Sequence, residues 1–182
     1  MSRQFATQAV AYMDLPVTIR HAEMDDLPRL EWDEHTWGLR ALFHKTYQEM
    51  LLGERLMLLA DVGGYPVGRL FVQLCAGNLT YADGVTRGYL YSLHVMPAFQ
   101  GRGIGTRLIR SAEAMLIERR YLIATIAVAQ TNSRARALYE RLGYRIFREE
   151  ESHWFYTDPD GRQHEVKETC WAMKKCLAHT DW

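Results

Sequence analysis

Three glycines in five positions, Gly101, Gly103 and Gly105, stand within Gln100-Gly101-Arg102-Gly103-Ile104-Gly105-Thr106. The flanks fix what this stretch connects. Before it, Tyr89 to Met96 is rich in strand-favouring residues and is closed by Pro97. After it, Ile104, Leu108, Ser111/Ala112 and Met115 recur at helical spacing, and Arg119 and Arg120 stand at the end, where cations are favoured. A strand must therefore feed a helix through a turn without Cβ obstruction, and backbone N–H groups at such a turn converge on one point beside the positive helix start. That geometry suits a phosphate or pyrophosphate. A dinucleotide fingerprint fails, because the third glycine would fall on Thr106 or Leu108, and a P-loop fails, because Gly105 is followed by Thr106-Arg107. Taken alone, the segment leaves open a tight turn with no ligand as the lesser alternative.

The remaining pattern supplies a sheet and its covering helices. Val17 to Arg20 reads as a short strand, followed by an acidic turn at Glu23 to Asp26 and a helical pattern through Leu27, Leu30 and onward. A second helix is expected with Trp37, Ala41, His44 and Gln48 on one stripe, widened by Leu39, Leu42, Phe43 and Met50. Leu56–Val62 and Val67–Leu74, punctuated by Gly63-Gly64-Tyr65-Pro66, form a hairpin. Leu122–Ala129 is a buried strand. Asn132-Ser133 caps a helix with Ala135, Leu138 and Leu142 inward, ended by Gly143. Tyr144–Phe147 and Ser152–Tyr156, a turn at 157–161, and Gln163–Met173 give a terminal hairpin. The fold class is a mixed α/β (α+β) single domain over 16–182, after a tail at 1–15.

Charge bears on partners. The chain of 182 residues holds 22 basic and 22 acidic side chains, which speaks against a nucleic-acid or membrane partner. The balance is uneven, since residues 102–148 carry ten arginines against three acids. Arginine is suited to phosphate, although solvated helix faces would look the same. Three cysteines without a C-x-x-C pair, and no secretory leader pattern, place the chain in the cytoplasm. No metal is expected, because the seven histidines show no ligand spacing with the cysteines.

Gln100-x-x-Gly103-x-Gly105, preceded by Leu93-His94-Val95-Met96-Pro97, resembles the acyl-CoA-binding motif of the GNAT superfamily of N-acetyltransferases. Asn132-x-x-Ala135-x-x-Leu138-Tyr139-x-x-x-Gly143-Tyr144 is similar to its second signature. The resemblance spans about residues 17–173 and is specific from about 88 to 147. It implies a single domain with a mostly antiparallel sheet splayed between its two central strands and helices on both faces.

It also implies a site. Backbone groups of Leu93, His94 and Val95 would pair with the pantetheine arm and polarise the acyl carbonyl. The turn (Gln100, Gly101, Arg102, Gly103, Ile104, Gly105, Thr106) would hold the pyrophosphate, Asn132 would hydrogen-bond the acetyl-CoA, and Tyr139 would contact it and protonate the departing thiolate. Read by its residue type alone, Tyr139 is a core tyrosine of an inner helix face.

The family commonly places a base on the strand entering the first motif, where this chain has Tyr89 and Tyr91 on one face and Ser92 and His94 on the other. Alternation points His94 away from the tyrosines, as a packed or surface histidine. A tyrosine relaying through water, or a group from the variable loops, stays open as the base. The regions that set acceptor choice in this family carry Trp32, Trp37, Phe43, His44, Tyr47, Trp154, Phe155 and Tyr156, with Glu31, Asp33, Glu34 and Glu149 to Glu151. These read as core aromatics with a solvated acidic rim, or as a surface for a cationic amine. The resemblance implies an acetyl-CoA-dependent N-acetyltransferase acting on a primary amine (small amine or amino acid) in a ternary complex. A protein or peptide N-acetyltransferase and a non-catalytic acyl-CoA-binding module are the alternatives, and a homodimer is compatible with either.

Overall fold

The computed structural model describes residues 16–32, 38–157 and 162–177. The tail at 1–15, Asp33, Glu34, Trp37, turn residues 158–161 and the side chains of Trp154 and Tyr156 lie outside the described residues. Seven strands form one sheet: β1 (Thr18–His21), β2 (Arg55–Val62), β3 (Tyr65–Gln73), β4 (Arg87–Val95), β5 (Ile123–Ala129), β6 (Arg145–Thr157) and β7 (Gln163–Cys176), in the order β1-β2-β3-β4-β5-β7-β6. Only β4 and β5 run parallel. The helices are α1 (Arg40–Leu51), α2 (Ile104–Glu118) and α3 (Ser133–Arg141).

β2 and β3 are covered on both faces, which is why they read as continuous apolar runs rather than alternations. Leu58, Leu70 and Val72 face the cluster under α2 and α3, while Met57, Leu59 and Phe71 face the one under α1. α2 lies close to the sheet over Gly68, where a Cβ would come within 3.2 Å of Ile104 and 3.3 Å of Leu108. A glycine in that strand lets the helix start descend onto the end of β4.

Three local expectations are corrected. The helical pattern after Glu23 is a short 3-10 helix, Met24–Leu30, containing Pro28 and ending at Leu30. The stripe of α1 is rotated. Ala41, His44 and Gln48 are exposed, whereas Phe43 and Thr46 are buried, and Leu39, Tyr47 and Met50 pack beside them. Phe43 fills the core below Phe71, and that large ring sets the helix's rotation over the weaker periodicity of its neighbours. Finally, Glu149–Glu151 do not break the last hairpin, because β6 runs through them, paired with Trp171, Cys170 and Thr169 of β7. Charged side chains are tolerated there on an edge strand.

Candidate active site

β4 and β5 are paired only from Arg87 with Ile123 to Leu90 with Ile126. Past that point β5 continues against β7, and the edge of β4 that faced it has no strand partner. The sheet is therefore split at its centre, and the split is flanked by two different surfaces.

On the α2/α3 face lies a cleft of about 540 Å³. It is lined by Leu93 and Val95 of β4, by Gln100, Gly101, Gly103, Ile104, Gly105 and Thr106 of the turn and helix start, and by Asn132. Gly101 and Gly103 have φ of 76° and 79°, the left-handed region that only glycine enters freely, and a Cβ on either would meet nothing within 4 Å. The glycines thus serve backbone conformation, and the space in front of them is open to a ligand. α2 has no side-chain cap and no acid in its first turn, so its leading N–H groups and positive end face the cleft uncompensated.

Other expected residues act differently. Gln100 donates from Nε2 to the Val95 carbonyl (2.9 Å) and accepts at Oε1 from Arg134 (2.8 Å), so it clips the end of β4 to α3. Asn132 accepts from the Ala135 N–H (3.0 Å) as the cap of α3, which leaves its Nδ2 to donate to a ligand. Arg102 is exposed and does not line the cleft. Arg134 and Arg141 do, and they are the only two of the ten arginines in 102–148 that do so. Their seven-residue spacing along α3 was the readable signal. Arg136 and Arg148 are paired with Glu140 and Glu150.

Tyr139 does not line the cleft but is buried behind it, its ring 6.2 Å from that of Tyr144. Burial pushes its phenol up to about 12, so it remains protonated.

His94 is the principal correction. Between Arg69 paired with His94 and Phe71 paired with Tyr91, β4 has one more residue than β3, and Ser92 sits at φ 54°. This bulge resets the alternation. His94 turns onto the same face as Tyr91, its ring 5.5 Å from Trp32, while Leu93 and Val95 turn into the cleft. Arg69 steadies the bulge from below, donating to the Ser92 hydroxyl (3.3 Å) between the rings of Trp32 and Phe43.

The α1 face of the split carries tyrosines. Tyr89 and Tyr91 stack with centroids 5.8 Å apart, and Tyr81 lies 4.6 Å from Tyr89. Tyr91 is engaged through its hydroxyl by Arg55 and Thr46. Burial raises the phenols of Tyr89 and Tyr91, so neither is a ready base at neutral pH.

A split parallel pair, a phosphate-ready turn and a bulged strand define an acyl-CoA-type transferase fold. The model of the acetyltransferase (GNAT) family matches residues 20–144, and the chain belongs to that family; it is an acyltransferase. A curated relative, an uncharacterised N-acetyltransferase of Archaeoglobus fulgidus, is 32% identical over 131 residues, 66% of this chain and 88% of that protein. Among solved structures, the ribosomal-protein-S18-alanine N-acetyltransferase of Escherichia coli superposes with a TM-score of 0.67 at 22% identity, covering 91% of this chain and 97% of that one. An aminoglycoside 6'-N-acetyltransferase complexed with coenzyme A gives 0.63 at 17% identity, covering 91% and 99%. The family uses acetyl-CoA. Among the described residues no helix is long and apolar enough to cross a membrane.

Proposed function

We propose that this acyltransferase moves an acetyl group from acetyl-CoA to a primary amine, a small amine or amino acid, by direct attack in a ternary complex. The observation that carries the reading is the parting of β4 from β5 after Leu90, which sets the glycine-lined cleft and the tyrosine-lined face on opposite sides of an unpaired stretch of β4. Donor and acceptor can then reach one carbon from opposite sides without sharing a binding surface.

The donor's pyrophosphate would lie on the N–H groups from Gly101 to Thr106, with Arg134 and Arg141 adding charge, and Asn132 would donate from Nδ2. The backbone of Leu93, His94 and Val95, turned by the bulge, would pair with the pantetheine arm and polarise the carbonyl. Tyr139, neutral at any physiological pH, would protonate the thiolate as the C–S bond breaks. None of the three cysteines lines the cleft, which supports direct transfer over an acyl-cysteine intermediate. Free thiols also suit a cytoplasmic protein.

A second reading takes the amine from a peptide N-terminus. It is favoured by the long β6–β7 hairpin beside the acceptor face, and by the substrate named for the Escherichia coli structure. Thiol release from acetyl-CoA with a panel of small amines, amino acids and short peptides tests both. Release with small amines supports the first reading, and release with peptides alone selects the second. Bound acetyl-CoA with no release above hydrolysis overturns both.

A further inference from the structure

The tyrosine-lined face ends in a carboxylate. Tyr81, from the segment between β3 and β4, is buried against Tyr89, and its hydroxyl donates to Glu150 on β6. The other carboxylate oxygen of Glu150 accepts from Arg148, whose side chain is 42% exposed. Register fixes the direction of Glu150. It lies opposite Cys170, Cys170 lies opposite Ala129, and Ala129 shares its face with Thr125, the partner of Tyr89. Glu150 and Tyr89 therefore occupy the same side of the sheet, Glu150 two strands out from β5 and joined to Tyr89 through Tyr81. Tyr89 in turn lies within electrostatic reach of both Glu150 and Tyr139, which approaches from the far side.

We propose that Glu150 binds the acceptor's primary ammonium at the split and takes its proton, with Tyr81 as the positioning residue and the ring of Tyr89 as the aromatic surface beside the cation. This inference rests on the acyltransfer reading above and names the acceptor class, an amine that is cationic at neutral pH. Tyrosine faces attract such a cation, and a carboxylate at the end of the row supplies the charge and the proton sink.

Other groups nearby are committed. The Tyr91 hydroxyl is held by Arg55 and Thr46, and Glu49 is paired with Arg55. Glu31 is paired with Arg40, and His94 packs on Trp32. Glu149 and Glu151 point to the opposite face of β6 from Glu150. Arg148, being exposed, can leave Glu150 when a substrate cation replaces it. The charged and titratable groups around Glu150 are Arg148 on its own strand, Tyr81 from the loop, Tyr89 on β4, and Cys170 and Glu168 on β7.

The steps balance. The ammonium gives one proton to Glu150, and the freed nitrogen pair forms the C–N bond to the thioester carbon. The C–S bond breaks with its electron pair staying on sulfur. Tyr139 protonates that thiolate and regains a proton from the second hydrogen lost by nitrogen, and Glu150 returns its own to water.

The test measures kcat/KM with phenethylamine and with an alanine-initiated tetrapeptide amide, from about pH 6 to about pH 10, for the wild type, Glu150→Gln and Tyr81→Phe. Acetyl-CoA affinity is measured alongside by calorimetry. Glu150→Gln should lose about 100-fold or more near neutral pH with unchanged acetyl-CoA affinity. That loss should shrink as pH rises and free amine becomes abundant. Tyr81→Phe removes the donor that fixes the direction of the carboxylate and should raise KM for both amines with acetyl-CoA affinity unchanged. Wild-type kinetics in Glu150→Gln overturn the proposal, as does a loss that is uniform across pH with an unmoved amine KM in Tyr81→Phe. A wild type that binds acetyl-CoA but turns over neither probe removes the acyltransfer reading as well. A wild type that turns them over beside an unimpaired Glu150→Gln removes this inference alone.

Discussion

The two faces of the split sheet meet at one gap but are built from different material. The face proposed for the donor is made of backbone: two left-handed glycines, an uncapped helix start and a bulge that rotates Leu93 and Val95 into the cleft. The face proposed for the acceptor is made of side chains drawn from distant segments, with Tyr81, Tyr89 and Glu150 brought together by strand register. A ligand shared across a family, such as acetyl-CoA, is well served by main-chain groups that tolerate sequence change. A surface of side chains leaves acceptor choice free to vary.

If this division holds, damage to each face should have its own signature. The largest effect is expected from Gly103→Trp, which forces a side chain out of the left-handed region and into the open space before the turn. Acetyl-CoA affinity by calorimetry should fall at least ~100-fold, or about 2.7 kcal/mol. Unchanged affinity would remove the phosphate site.

Next in size, Tyr139→Phe should lower kcat by roughly 100-fold while leaving the acetyl-CoA Kd alone. Because burial holds this phenol at about 12, it should contribute no alkaline limb to the rate profile below about pH 11. A limb near neutrality that vanishes in the variant would contradict the assignment.

Ser92→Val joins the two faces in one test. Ser92 already carries a Cβ at φ 54°, and a β-branched side chain crowds that backbone further and should lower Tm, while a chain that escapes by closing the bulge flips His94 and Leu93 together. Both KM for acetyl-CoA and kcat should then suffer. An effect on one alone would mean that the bulge does not couple the faces.

The α1 face is also anchored electrostatically. Asp26 is buried, which raises its pKa, but bonds from Arg20 and the Glu23 N–H outweigh this and hold it below the usual carboxylate range. A depressed folded pKa gives stability that is present above the unfolded value and is lost as pH falls through the folded one. Asp26→Asn should therefore lower Tm at neutral pH and flatten the acid side of the stability curve. A parallel curve would show that the clasp to β1 and β2 contributes nothing. Arg134→Ala should be the mildest change, raising the KM for acetyl-CoA by roughly threefold to tenfold in a salt-sensitive way. Salt-independent binding would place the phosphates elsewhere.

The same division explains what could be read from the chain in advance. Glycine spacing, the Asn132 cap and the strand-to-helix order are local, so the cleft on the α2/α3 face and the sheet were legible, with Leu93, Val95, Gly101 and Gly103 to Thr106 among the residues that line it. The bulge at Ser92 leaves no periodic trace, and strict alternation therefore sent His94 to the wrong face. Arg69, whose contact supports that bulge, is 23 residues away in sequence. Glu150 stood in a run of three acids that reads as solvent rim. Only its pairing with Cys170, and the hydroxyl of Tyr81 69 residues distant, single it out. The arginine excess misled in the opposite direction, since composition marks a segment and cannot say which side of each helix faces the cleft.

The central claim is that donor and acceptor approach one gap from opposite faces of the sheet, and a crystal structure with coenzyme A tests it most directly. The account predicts the pyrophosphate within about 3 Å of the N–H groups between Gly101 and Thr106, and the sulfur at the parting of Leu90 from Ile126, beside Tyr139. Coenzyme A lying along Tyr89 and Glu150, or a sulfur directed away from that gap, would contradict it.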